Sequence, residues 1–536
     1  LPDMLYEQVV EISERVLADG TIDRSLDIGA ARASLQQSYN DGIRSIAIVF
    51  MHGYRYPEHE LAVADIAREI GFTQISSSYE TNPLMKLVSR GDTTVVDAYL
   101  SPMLGNYVSQ VASELGDVRL MFMQSHGGLT DAGLFRGKDA ILSGPAGGIV
   151  GAVKTAAAAG YDRIISFDMG GTSSDVALIN GHIKLTNEGK IGPYPVAVPM
   201  VDMHTIGAGG GSIAYLDEGG MLRVGPESAG AEPGPACYNK GGTRPTVTDA
   251  NVVLGRLPAA ARLGGAMPLN LEAAHRAVGE LASALGISTE ATATGIIDMA
   301  NEHMVRALRV ISVQRGHDPA DFSLCCFGGA GGLHICALAE ALGCSDIIVP
   351  NYAGVFSALG MLLAPRERQL SRTINIGLAD VDPDSLRQNL RDLAASGRQQ
   401  LLTEGISASQ ITAQASVDLC YVGQSYTLNL AWQDDIPTLE QAFHRAHSDL
   451  YGHELALPVQ LINIRQALRA DTLALDLPDI SDGPLAAAVD VQSVISSKGA
   501  IEVPRYERSD LRHEQCIDGP ALISDATSTL WLEQDW

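Results

Sequence analysis

The chain has 536 residues, 46 % hydrophobic and 19 % charged, which is room for two to four domains at roughly 100–200 residues each. It carries 37 Lys and Arg against 63 Asp and Glu, a net charge of −26; this argues against nucleic acid or a membrane surface as partner, but not against phosphate held by a glycine nest and a metal. Seven cysteines without a C-x-x-C pair argue against a disulfide scaffold or zinc ribbon and fit a reducing cytosol, and no apolar run reaches the length of a membrane span.

From 1 to 160, strand-like runs alternate with helical ones. IRSIAIVF (43–50) and VRLMFMQ (118–124) read as buried strands, and EHELAVADIAREIG (58–71) has helical spacing. This alternation predicts a mostly parallel or mixed sheet covered by helices. From 161 to 365 a second α/β unit opens with RIISFD and ends in long helices. Its segment 288–313 sets Ile296, Ile297, Ala300, Met304, Ala307, Leu308 and Ile311 on one apolar stripe. From 366 to 536 the glycine loops stop. A helical stretch, SLRQNLRDLAASGRQQLL, precedes the β-rich VDLCYVGQSYTLNLAW and ALRADTLALDL, which predicts a separate C-terminal α+β domain.

The most informative segment is ISFDMGGTSSDVALIN (165–180). It reads as strand, tight glycine turn, strand. Gly170 and Gly171 free the backbone to approach a ligand, and their amides can form an anion nest. Asp168, at the strand tip, is placed to hold a hydrated Mg²⁺, and Thr172 adds a hydroxyl for a phosphate oxygen. Asp175 opens the second run. The plain alternative is a hairpin with a glycine turn and a capping Asp.

GAGGGS (207–212) lacks the spacing and the following helix of a dinucleotide loop. Gly209, Gly210, Gly211 and Ser212 read instead as a backbone loop at the substrate cleft, with a structural turn as the alternative. Asp202 and His204, two apart in VDMHT, share a strand face. With Asp249 or His126 brought in by folding they are candidate ligands for a second divalent metal, zinc or manganese. The alternative is an Asp–His pair that only orders the glycine loop. Cys237 has no base beside it in sequence and reads as a small buried hydrophobe.

DMGGTSSDVAL resembles the second phosphate loop of the actin-like ATPases. Phe327-Gly328-Gly329-Ala330-Gly331-Gly332-Leu333-His334, after the run DFSLCC, resembles their adenosine-binding loop. Between 124 and 256, QSHGGL, ILSGPAGGIVGA, FDMGGTSSDVALI, VDMHTIGAGGGSIAYLD, RVGPESAGAEPGPACY and PTVTDANVVLGRL follow in order. Together they look like the ATP-binding subunit of the hydantoinase/5-oxoprolinase family, which includes the acetone carboxylase β subunit.

The resemblance implies an α/β actin-like ATPase: two RNase-H-like units, the first incomplete, plus a β-rich C-terminal domain. It implies Mg-ATP bound by Gly170, Gly171, Thr172, Gly328, Gly329, Gly331 and Gly332, with Asp168, Thr172 and Asp175 catalytic. The reaction implied is ATP-dependent hydrolysis of a cyclic amide (hydantoin, N-methylhydantoin or 5-oxoproline type) after phosphorylation of its carbonyl. The implied partner is a second, B-type subunit in a cytoplasmic hetero-oligomer. The alternatives are the ATP-binding subunit of a ketone carboxylase and a non-catalytic actin-like nucleotide switch. Family members begin with a first phosphate loop of the D-x-G-G-T-x-x-D type, whereas only one such motif occurs here, at Asp168. The chain therefore looks like a fragment without its first hundred-odd residues, and the fragment alone is expected to be inactive.

Overall fold

The computed structural model describes residues 4–187, 189–191, 194–258, 262–264, 267–470, 480, 483–496 and 499–536. The fold is mixed α/β, as expected of an actin-like ATPase. The chain makes two compact units, each from three separate segments: 1–146, 185–201 and 364–473, then 147–184, 202–363 and 474–536. The stretch 366–536, expected as one C-terminal domain, is thus divided. Its first strand continues a sheet begun by residues 121–131, because Arg366 pairs with Leu129 in parallel. Among the described residues no helix is long and apolar enough to cross a membrane.

In the first unit, the runs at 43–50 and 118–124 form strands Ser45–Ile48 and Met121–Met123. The run at 58–71 forms helix Glu58–Ile70, which ends on Gly71 in the left-handed conformation. A six-stranded sheet is built on the long strands Arg366–Gly377, Val459–Ala470 and Ile411–Tyr421, paired antiparallel in that order. Helices Pro383–Thr403 and Ile436–Tyr451 cover it with Leu386, Leu390, Leu439 and Phe443, against Val417, Leu461 and Ile464. Most of the run ALRADTLALDL lies in 471–479, outside the described residues.

The second unit is organised on a five-stranded sheet. Its central strand, Arg163–Met169, pairs antiparallel with Ser174–Asn180 and parallel with Ser323–Phe327. His204–Ile206 flanks one side, and Ile347–Ile348 closes the other in parallel. Ile164, Ile165, Ser166 and Phe167 are all buried, as in a strand covered on both faces. Helix Thr289–Ile311 starts at Ser288, whose side chain accepts from the Ala291 amide at 3.1 Å. All seven residues of its expected apolar stripe are buried, and burial of each large side chain contributes roughly 1.5–3 kcal/mol. The strands Asp490–Ser496, Gly499–Glu507, Ala521–Ser524 and Thr529–Leu532 form a second sheet, with Leu522 and Trp531 in the same core.

Candidate active site

The central strand ends at Met169, and the chain returns at Ser174, which sets Asp168 opposite Asp175 in the ladder. The Gly170 amide donates to Ser173 O at 3.0 Å and closes the turn, while Gly171 and Thr172 stand exposed at its tip. Burial, and then the neighbouring Asp175, push the pKa of Asp168 up to about 6. Burial raises Asp175 too, against a hydrogen bond donated by the Thr205 hydroxyl. Two desolvated carboxylates side by side are relieved by a cation.

GAGGGS lies under this turn. The amides of Gly210 and Gly211 donate to the carbonyls of Gly170 and Gly171 at 3.0 and 2.6 Å. In a trans peptide the N–H points opposite to the C=O. The amides of Gly171 and Thr172 therefore point away from this backing, toward the exposed tip, as an anion nest requires. The backing is itself fixed: the Thr248 hydroxyl donates to Gly210 O at 2.8 Å, and Ser174 Oγ donates to Ala208 O at 2.6 Å. A Cβ on Gly209 would stand 2.7 Å from Thr172 N. Gly209, Gly210, Gly211 and Ser212 are all buried. They brace the turn and do not form the open cleft wall expected of them, because the turn occupies the face they would offer.

The second glycine loop starts beside the first, since Phe327 pairs with Asp168. Gly328 has φ +82°, and a Cβ there would lie 2.4 Å from Met169 O and 2.5 Å from Asp168 Oδ1. The Ala330 amide donates to Met169 O at 3.1 Å. Both loops leave the carboxyl ends of parallel strands, where open α/β sheets bind ligands. Gly329 is exposed, but Gly331 and Gly332 are buried. A Cβ on Gly331 would meet Cys326 Sγ at 2.9 Å, and one on Gly332 would meet Thr529 O at 2.5 Å. These two glycines, expected at the nucleotide, admit neighbouring protein instead.

The four candidate ligands of a second metal do not form a centre. Asp202 is paired with Arg315 at 2.6 Å and Lys184 at 3.5 Å. His204 lies in the flanking strand opposite Val176. Asp249 accepts from the amides of Ala236, Cys237 and Thr246 and from the Thr246 hydroxyl, so it completes the capping box of helix Val247–Val253 with the N-cap Thr246. His126 belongs to the first unit, 3.6 Å from Glu367, and burial lowers its pKa. Among the described residues no group of three or more His, Cys, Asp or Glu is arranged to hold a metal.

Cys237 is fully buried, and burial and Asp249 raise its thiol pKa, which keeps it protonated. His334 bonds Asn301 at 2.7 Å and is pushed down to about 3 by burial and then by Arg256, so it stays neutral. Sequence reading missed Thr248, Thr205 and Thr527. Thr248 sits inside a visible capping pattern, T-x-x-D at 246–249. Thr527, whose carbonyl lies against Gly329 and Gly354, sits in the turn D-A-T-S at 525–528, where Asp525 accepts from the amides of Thr527 and Ser528.

The site defines a class: an α/β protein with an acidic strand tip, a braced glycine turn and a second glycine loop at one carboxyl edge. The chain belongs to the hydantoinase/oxoprolinase family: the Hydantoinase/oxoprolinase model matches residues 90–369, and the model of the family's N-terminal region matches 1–71. The caprolactamase subunit alpha of Pseudomonas jessenii is 35 % identical over 98 % of this chain and 79 % of its own length. The crystal structure of the ATP-dependent caprolactamase from the same organism superposes with a TM-score of 0.87 at 34 % identity, over 98 % of this chain and 80 % of that one. The 5-oxoprolinase of Dictyostelium discoideum is 33 % identical over 99 % of this chain, which spans 47 % of that protein. The nucleotide-free structure of acetone carboxylase gives a TM-score of 0.79 at 26 % identity, over 98 % of this chain and 78 % of that one.

Proposed function

We propose that the chain is the ATP-binding subunit of an ATP-dependent hydrolase that opens a cyclic amide of the hydantoin, N-methylhydantoin or 5-oxoproline type. One observation carries this reading: Asp168, the outward amides of Gly171 and Thr172, and Gly328 meet at one sheet edge. Similarity to an ATP-dependent caprolactamase supports it. The two amides and the Thr172 hydroxyl hold the terminal phosphates, and Gly328 and Gly329 back the nucleoside.

Asp168 and Asp175 are the residues that would hold Mg²⁺: the ladder sets them side by side, burial raises the pKa of both, and among the described residues no Lys or Arg side chain pairs with either. When bound, the ion neutralises charge on the transferring phosphoryl group. The protein's own task is positioning: the turn holds the γ-phosphate in line with the amide oxygen. An amide resists water because nitrogen shares its lone pair with the carbonyl. Transfer of the phosphoryl group to the amide oxygen yields ADP and leaves the carbon open to attack. Water then adds to that carbon, the C–N bond breaks with the nitrogen taking up a proton, and a second water cleaves the resulting acyl phosphate to the ring-opened carboxylate and phosphate. A B-type second subunit completes the reaction in a hetero-oligomer, in keeping with the subunit name of the Pseudomonas relative.

A second reading, the ATP-binding subunit of a ketone carboxylase, draws on the likeness to acetone carboxylase. The test is phosphate release from ATP by the protein with its partner subunit. Stimulation by hydantoins or 5-oxoproline is expected. Stimulation only by a ketone with bicarbonate would favour the second reading, and stimulation by neither would overturn both.

A further inference from the structure

Three parallel strands of the second unit leave their loops at the same edge. The phosphate turn follows Arg163–Met169, the second glycine loop follows Ser323–Phe327, and a third loop, 349–355, follows Ile347–Ile348. The first two account for phosphate and nucleoside backing in the reading above, and the third has no part in it. Its strand lies two places from the central one, about 10 Å away. That is comparable with the reach of a nucleotide from its terminal phosphates to its base.

The third loop carries Tyr352, which has φ +61° and is 57 % exposed. A bulky side chain rarely adopts this left-handed backbone, and such residues persist where the surroundings impose them. Here they do. Asn351 accepts from Arg508 Nε at 3.2 Å, and Arg508 also donates to Val349 O. Ala353 O accepts from the Gly328 amide at 2.9 Å. A Cβ on Gly354 would stand 2.3 Å from Thr527 O. The chain is thus pinned before and after Tyr352, and on one side the pin is the second glycine loop itself. Val355, one turn on, is 51 % exposed. An aromatic ring held in solvent on a fixed backbone is the arrangement that stacks a planar base, with little ordering left to be done on binding.

We propose that Tyr352 is the platform on which the adenine base of ATP stacks, with Val355 at its border; this rests on the nucleotide reading above. The test is titration calorimetry on the purified full-length protein, with ATP and with inorganic tripolyphosphate. Tyr352→Gly removes the ring and relaxes the left-handed backbone, so its thermal midpoint should not fall. It should weaken ATP about 10-fold or more and leave tripolyphosphate affinity unchanged. Tyr352→Phe should bind ATP within about 3-fold of the unaltered protein, since the ring face is kept. Unchanged ATP affinity in Tyr352→Gly, or equal weakening of ATP and tripolyphosphate, would overturn the proposal and leave the nucleotide reading standing. Absence of ATP binding by the unaltered protein would overturn that reading and the proposal with it.

Discussion

Gly328 leaves no room for a side chain beside Asp168: a Cβ would sit 2.5 Å from the carboxylate oxygen and 2.4 Å from Met169 O. Backbone must shift to admit it, and φ +82° adds strain of its own. Gly328→Ala should destabilise the protein by ~1–3 kcal/mol and depress ATP turnover. Gly329→Ala, whose Cβ would meet only Thr527 O at 3.4 Å, should be near neutral in stability. Urea unfolding and phosphate release on both variants make the comparison.

Asp168→Asn keeps the shape and removes the charge, so turnover should fall ~10²-fold or more. Stability should move the other way. The folded-state pKa of about 6 lies above the unfolded value of 3.8. The protonated carboxyl therefore stabilises the fold fully below about pH 4, and that contribution is lost as pH rises through about 6. Its size is on the order of 1–3 kcal/mol. In metal-free buffer, thermal unfolding midpoints of the native protein should drop relative to Asp168→Asn across this window. Parallel curves would show that Asp168 is not the strained group described here.

Thr172→Ala should cost less than Asp168→Asn, because a neutral hydroxyl bond is weaker than a charge-assisted contact. Steady-state phosphate release on the two variants ranks them. Near-normal turnover in Asp168→Asn with none in Thr172→Ala would reverse the assignment of the turn.

The brace under the turn predicts a contrast between two close glycines. A Cβ on Gly209 would lie 2.7 Å from Thr172 N, whereas one on Gly207 would meet Pro226 O at 3.5 Å. Gly209→Ala should displace the tip and lower turnover by about 10-fold or more, since small misplacements of positioning groups are costly. Gly207→Ala should change it little. Circular dichroism would confirm that both fold.

Asp202 is occupied by Arg315 and Lys184, so His204→Ala should leave the metal dependence of turnover unchanged. Elemental analysis after dialysis, with and without the substitution, should give the same metal content. A loss of bound ion in His204→Ala would restore the centre that the sequence suggested.

The strand–turn–strand at Asp168 and the helix at 288–313 were legible because each follows from contacts within a few residues: a glycine turn closed by Ser173, and a stripe repeating at helical spacing. The roles of the other glycines were not. Gly171, Gly210 and Gly332 look alike in sequence, yet one stands exposed at the tip of the turn, one braces the turn and one admits Thr529. That difference is set by what folds against each, and those partners come from far along the chain. The Asp202–His204 spacing misled for the same reason, as Arg315 arrives from a different element. The division of 366–536 depends on the pairing of Arg366 with Leu129, which no local pattern announces.

The interleaving of the two units bears on how the protein is made. The phosphate turn leaves the ribosome long before Thr527, whose carbonyl lies against Gly329 and Gly354, and before Trp531, which completes the same core. At usual synthesis speeds that interval is on the order of tens of seconds. Through it the nascent second unit carries an unfinished apolar face, a window in which chaperones and the timing of translation act. Nucleotide loops that look complete by residue 354 are finished only when Thr527 and Thr529 reach them.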